Sequence, residues 1–566
     1  MEQPNYLDYC TDDIEELYSK LQDSVLKTVV KRIIKYGEVT PSAWNDIKIL
    51  QESGMVYDDV LDIVSEFTQL SQSAVQEMFT AAKVENIKYD NEIYKAAGMQ
   101  PLKENGSPAV NQIVRGAINK TNGNLKNLTM TTARAAQDKF IDACSIAEME
   151  INTGAYDVNT AIRHAVEFAI QDGANVYYYN DEEDGTIVTA KRNIVSAVRT
   201  AVLTGVSQTT GEISLENAKK MGTDLMELSA HIGARPSHSV WQGKIVCFSR
   251  RKTKYLTLAD IGYGEIDGFK GINCRHYWFP FIEGVSTRTY TDEQLEEMNN
   301  ATVNYNGNEI PVYVATQKQR KMERQIRFER SQLVSYDTAI KEAKQNGNTE
   351  LADDLQINFD NIATKLKAHE SMYKEYCNQT GLPVLSERLQ YPAFNRSVSQ
   401  KAVHSVKRVF NDAKGIINPE IMPKTVEEFT KVCYNPQGKM LEELSSLSFE
   451  KAKQINSLYN ERVIRFWYDH HNKGIKAQLD TSVSLESQAR QACALRNQYK
   501  SQARALMLDR EKAKGLNEGK EKIKPFEFYY NKYKKDGLSD DDVYRLIIDA
   551  SKRTRQSVNK KYGVTE

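Results

Sequence analysis

The chain has 566 residues, 75 Lys+Arg against 76 Asp+Glu, and seven Cys. That length is too great for one core and implies roughly three or four domains of about 150 residues each. A charged fraction of 27%, a mean hydropathy of -0.58 and no apolar run near the roughly twenty residues of a bilayer span exclude a membrane class, so the chain reads as soluble.

The opening "MEQPNYLDYC" is acidic, with neither a basic region nor an apolar run, so no signal peptide is expected. The Cys (10, 144, 247, 274, 377, 433, 493) are scattered and odd in number, which fits reduced thiols in a cytoplasmic environment better than a disulfide frame. Residues 1–100 read as short helices. Ile14, Leu17, Leu21, Val25, Val29 and Ile33 share one face, Thr11 is placed to cap it and Gly37 to stop it, and a second helix opens at Thr40-Pro41. Residues 101–128 are rich in Gly, Asn and Pro and predict a connector or extended arm.

A central α+β domain is expected over 129–290. "VNTAIRHAVEFAIQDG" (158–173) predicts a helix closed by Gly173, while "NVYYY" (175–179) and "TIVTA" (186–190) predict a strand hairpin. The loop Asp181 to Asp184 lacks the ligand alternation of a calcium loop and reads as a solvated turn. Two more helices are expected, near 191–205 and 213–229. An extended segment over 291–317 then leads to a helical hairpin over 318–378, where Ile326, Leu333 and Ile340 repeat every seven residues and Leu355, Ile362 and Leu366 answer them.

After a linker over 379–400, residues 401–566 read as a basic helical carboxyl domain, with capped helices expected at 485–510 and 537–563. Residues 391–566 carry 33 Lys+Arg and 22 Asp+Glu (33 − 22 = +11), which leaves 42 and 54 for residues 1–390 (42 − 54 = −12). Such a split suits the two parts to different surroundings; the basic one reads either as a part lying near nucleic acid or acidic protein or simply as a soluble helical domain. "FWYDHHNKG" (466–474), with Asp469, His470 and His471, is its one cluster of interest to an enzymologist, and it reads as a surface helix end. No short internal repeat is visible.

Three of the eight His lie between residues 231 and 276, beside Cys247 and Cys274. His238, Cys247, Cys274 and His276 would make a two-nitrogen, two-sulfur set suited to tetrahedral zinc, although only Cys274 and His276 are closely spaced. Cys274 with His238 or His276 would suit a nucleophile and base. A third reading accounts for more of the residues. Arg235 and Arg275 offer bidentate contacts, Asn273 and Gln242 offer amides, Trp241, Trp278 and Phe279 offer bulk, and Gly243, Gly268 and Gly271 mark tight backbone, together forming a structural knot with no cofactor.

"SAHIGARPSHSVWQGKI" (229–245) followed by "GFKGINCRHYWFPFIEG" (268–284) resembles the phage minor capsid protein 2 family, through its H-x-x-x-R-P-x-H-x-x-W-Q-G and G-x-N-C-R-H segments. "YGEVTPSAW", "TGAYDVNTAIRHAVEFAIQDGA" and "VATQKQRKMERQIRFER" extend the resemblance over roughly residues 10–400. The matching positions are His231, Arg235, Pro236, His238, Trp241, Gln242, Gly243, Gly271, Asn273, Cys274, Arg275, His276 and Pro280. Family members often carry a further Cys ahead of N-C-R-H; Phe269 and Lys270 stand there instead, which weakens a zinc assignment based on paired cysteines.

The family is similar in role to the Mu F-like head morphogenesis proteins. The resemblance implies a non-enzymatic late structural protein of the bacteriophage virion, near the portal vertex, contacting portal and major capsid proteins and assisting head morphogenesis and DNA packaging or delivery. The expected fold is mainly α with a central α+β domain, a helical hairpin and a helical carboxyl domain. The alternative gives that carboxyl domain an effector enzyme or a DNA-binding role.

Overall fold

A computed structural model describes residues 11–36, 45–152, 158–171, 173–181, 187–249, 254–434, 436–447, 451 and 455. The fold is mainly α, with small sheets inserted between the helices. Among the described residues no helix is long and apolar enough to cross a membrane.

Helix α1 (Asp12–Tyr36) opens on Asp12, Asp13 and Glu15, which favour the positive end of its dipole. It buries Ile14, Tyr18, Leu21, Val25, Val29 and Ile33 along one face. Its partner α2 (Asn45–Ala96) is one helix of 52 residues where several short ones were expected. No Pro falls between positions 42 and 100, and one buried face runs on through Val56, Val60, Val64, Ser71, Val75 and Phe79. Arg32 ties the pair by bonding Glu52 and Asp59.

The expected connector over 101–128 is corrected as well: α3 spans Pro108–Asn152. Pro108 suits the first helical turn, the Ser107 hydroxyl accepts the Val110 N–H, and buried Val110, Val114, Leu125 and Leu128 hold the Gly- and Asn-rich stretch in the helix. Burial at i, i+4 spacing here outweighs the low propensity of those residues.

Helix α4 (Val158–Gln171) ends before Gly173, whose φ of 67° only Gly adopts readily. Strands β1 (Asn175–Asp181) and β2 (Ile187–Asn193) pair antiparallel, Asn175 opposite Asn193. The Asn193 side chain then caps α5 (Ile194–Lys220) through the N–H groups of Val195 and Ser196. Where sequence periodicity predicts helix over 213–229, the chain leaves α5 at Lys220 and turns through Gly222 (φ 74°) into strand β3 (Leu225–Leu228).

A four-stranded sheet follows, in the order β5-β4-β3-β6: β4 (Ile245–Cys247), β5 (Leu256–Thr257) and β6 (Trp278–Phe281). β3 runs antiparallel to both β4 and β6, and β5 is parallel to β4. The stretch read as extended, 291–317, is instead built from local signals. Thr291 and Gln294 form a reciprocal capping box opening α6 (Asp292–Asn300). Asn306 and Gly307, at φ 52° and 79°, turn the hairpin of β7 (Thr302–Tyr305) and β8 (Asn308–Pro311).

The helical hairpin is α7 (Val312–Gln345) and α8 (Thr349–Thr380), capped by Asn348 and closed by Gly381 at φ 70°. Ile326, Leu333, Ile340, Leu355, Phe359 and Leu366 enter the same apolar core as α1 to α5. The expected linker after it is packed down: Leu389 and Tyr391 are buried in that core. α9 (Arg396–Lys414), capped by Asn395, reaches back through Lys401 to Asp337 and Arg408 to Asp360. A second small core joins it to α10 (Val426–Tyr434) and α11 (Gly438–Ser446). The expected helices at 485–510 and 537–563, and Asp469, His470 and His471, lie outside the described residues.

Candidate functional site

The sheet divides its residues by strand alternation. Met226, Leu228, Val246 and Trp278 face one side with Trp241, Phe269 and Cys274, whereas Leu225, Cys247 and Phe281 face the other. Cys247 therefore does not join the other candidate metal ligands, a correction to the four-residue set. Its Sγ lies 3.5 Å from Asp224 Oδ2.

Two loops meet over the first face. The turn after β3 carries His231, and Pro236 opens a single helical turn (Pro236–Ser239) that places His238 and Trp241 inward. The second loop folds on itself so tightly that a Cβ on Gly268 would stand 1.9 Å from the Gly262 carbonyl oxygen, and one on Gly271 would stand 2.0 Å from that of Glu265. Asn273 takes φ 57° and delivers Cys274 and His276 to the interior. Gly243, at φ 67°, faces Leu295 of α6, 2.4 Å from where a Cβ would be.

Hydrogen bonds fix the histidine tautomers. The Asn299 amide N donates to the Ser239 carbonyl, 3.1 Å, leaving Asn299 Oδ1 to accept from Gln242 Nε2 at 2.6 Å. Gln242 Oε1 therefore faces the other way, accepting the His231 backbone N–H and, at 3.1 Å, the His276 Nε2–H. His238 Nε2 lies 2.7 Å from the Asp267 carbonyl oxygen, which only accepts, so that nitrogen also carries its proton. The two Nδ1 atoms then face each other at 3.2 Å, with Cys274 Sγ 3.8 Å from His276 Nδ1.

Aromatic packing completes the site. His231 stacks on His276 with ring centroids 4.5 Å apart, and Trp241 stands edge-on to His276 and Phe269. Trp278 stacks on Tyr263 and donates its indole N–H to the Gly211 carbonyl of α5. Burial holds both the His238 and His276 imidazoles below the ordinary histidine range and pushes the Cys274 thiol up. Lys270, also fully buried, is pushed down to about 8 by the same desolvation.

Arg235 donates to the Ile272 carbonyl at 3.3 Å and lies 4.0 Å from Asp267, a loop-to-loop tie on the rim. Arg275 is half-buried, and Pro280 sits in β6 opposite Met226. Sequence reasoning missed Asn299, Asp267 and Lys270. Asn299 and Asp267 act through one amide and one backbone carbonyl, which leave no mark in composition, and Lys270 reads as a surface Lys until its burial is seen.

The family model for phage minor capsid protein 2 matches residues 3–378, taking in the helical body, this site and the hairpin. The chain belongs to that family. It is 30% identical over 169 residues to a "Structural protein" of Lactococcus phage LL-H, covering 29% of this chain and 40% of that protein. It is 38% identical over 80 residues to a "Structural protein" of Lactococcus phage mv4, covering 14% of this chain and 54% of that one. The chain thus spans about half the length, or less, of these relatives. No solved structure matches it. As a member of this family the chain is a bacteriophage minor capsid protein, a structural component of the virion.

Proposed function

We propose that this minor capsid protein sits near the portal vertex, contacts portal and major capsid proteins, and assists head morphogenesis and DNA packaging or delivery after assembly in host cytoplasm. The observation that carries the reading is the family match across body, site and hairpin together. The hairpin supports it: two long helices rooted in the main core give a stiff element for spacing neighbours in an assembly. The excess of +11 over residues 391–566 (33 − 22) suits that end to phage DNA, with an affinity that falls steeply with added salt.

Within the protein, the His/Arg/Cys cluster acts as a structural knot and carries no catalysis. A cysteine nucleophile needs an accessible thiol with a lowered pKa. Cys274 is 2% exposed and its thiol is pushed the other way. Quantitative mass spectrometry of purified particles, with cross-linking, tests the placement. A few copies per particle, cross-linked to portal protein, is the expected result; absence from particles would overturn it.

A further inference from the structure

We infer that His238, His276 and Cys274 form a binding site for one divalent cation of the zinc class. The argument rests on the two imidazole tautomers. Each ring gives its Nε2 proton to a fixed acceptor, His238 to the Asp267 carbonyl and His276 to Gln242 Oε1. The acceptor role of Gln242 is enforced in turn by Asn299 and the Ser239 carbonyl. Two Nδ1 lone pairs are therefore aimed at one another across 3.2 Å.

Lone pairs so placed repel unless something positive lies between them. A metal ion also meets the third group present: Cys274 Sγ lies 3.8 Å from His276 Nδ1, and one ligand atom from each of His238, Cys274 and His276 lies within 4.8 Å of the other two. Tetrahedral zinc, with bonds of roughly 2.0–2.1 Å to N and 2.3 Å to S, puts its nitrogens about 3.4 Å apart and N and S about 3.6 Å apart. The separations here, 3.2 and 3.8 Å, need only small adjustments.

The surroundings have the pattern of a metal centre. Ligating histidines commonly donate their second N–H to a carbonyl or carboxylate, which fixes the ring and raises its basicity. Both rings do so here, from two loops far apart in sequence. Binding would release the Cys274 thiol proton to solvent and none from the imidazoles, leaving a thiolate and two neutral nitrogens as ligands. The fourth tetrahedral corner falls to a group from outside this set, water being the simplest. Bound metal would bridge the turn at His238 and the segment 274–276, the same two loops that the polar relay joins.

The inference is independent of where the protein sits in a particle, so its test uses the isolated full-length chain. Chelator-treated protein, with its fold checked by circular dichroism, is titrated with Co(II) and then Zn(II). A thiolate-to-cobalt charge-transfer band that saturates at one ion per chain and is displaced by Zn(II) is expected. Cys274→Ser should abolish the band and Cys247→Ser should leave it intact. Asn299→Ala, which frees Gln242 to turn over, should weaken binding by about 10–100-fold while the band persists at saturation. Absence of a saturable band in the folded wild-type chain, or a band that survives Cys274→Ser, would overturn the site.

Discussion

The helical body and the segment 225–290 are stable for different reasons. The body, α1 to α5 with the hairpin α7 and α8, buries a continuous aliphatic stripe repeated every three or four residues. The described residues of segment 225–290 form four strands of two to four residues joined by irregular loops, held by one small, aromatic-rich apolar cluster together with single hydrogen bonds and glycines in confined backbone. Redundant burial tolerates changes of shape, whereas a relay of single donors and acceptors fails at any member.

The largest way to break that contrast is backbone crowding. Gly268→Ala or Gly271→Ala would press a methyl into a carbonyl oxygen, and we expect a loss of about 4 kcal/mol or more in denaturant unfolding, at the upper end for single substitutions. Next comes the body: Leu333, fully buried in the hairpin, should cost about 3 kcal/mol as Leu333→Ala but under about 1.5 as Leu333→Met. In the loops a comparably conservative change should not be tolerated. Gln242→Leu keeps the volume but removes the acceptor of the His276 and His231 N–H groups, costing about 2 kcal/mol in the same assay. Asn273→Ala, at φ 57°, should cost about 1 kcal/mol.

A further test is confined to a pH window. Asp90 on α2 accepts hydrogen bonds from Asn217 and Ser214 of α5, and burial raises its pKa from 3.8 to about 7. The folded state therefore holds this proton more tightly than the unfolded chain does. Its stabilising effect is complete below 3.8 and is lost as pH rises through about 7. Unfolding measured from acid to neutral pH should show a shallower decline in Asp90→Asn than in the wild type.

Legibility in the sequence followed the same division. The stripe of α1, the heptads of the hairpin and the strand pair before α5 were readable because periodic burial leaves a periodic pattern. The long α2 and α3 were not, because Gly and Asn residues suggest breaks that buried Val and Leu override. The capping box at Thr291 and the Asn306-Gly307 turn were plain local signals inside a stretch read as extended. At the site, His238, Gln242, Cys274 and His276 were found from residue chemistry and family resemblance. Cys247 was wrongly grouped with them, since spacing alone does not say which face of a two-sided sheet a strand residue takes.

Hydrogen exchange of the full-length Gln242→Leu variant tests the contrast most directly. The account predicts that protection falls across residues 225–290 while 312–345 and 349–380 keep wild-type values. Equal loss in the hairpin, or unchanged protection in 225–290, would contradict it.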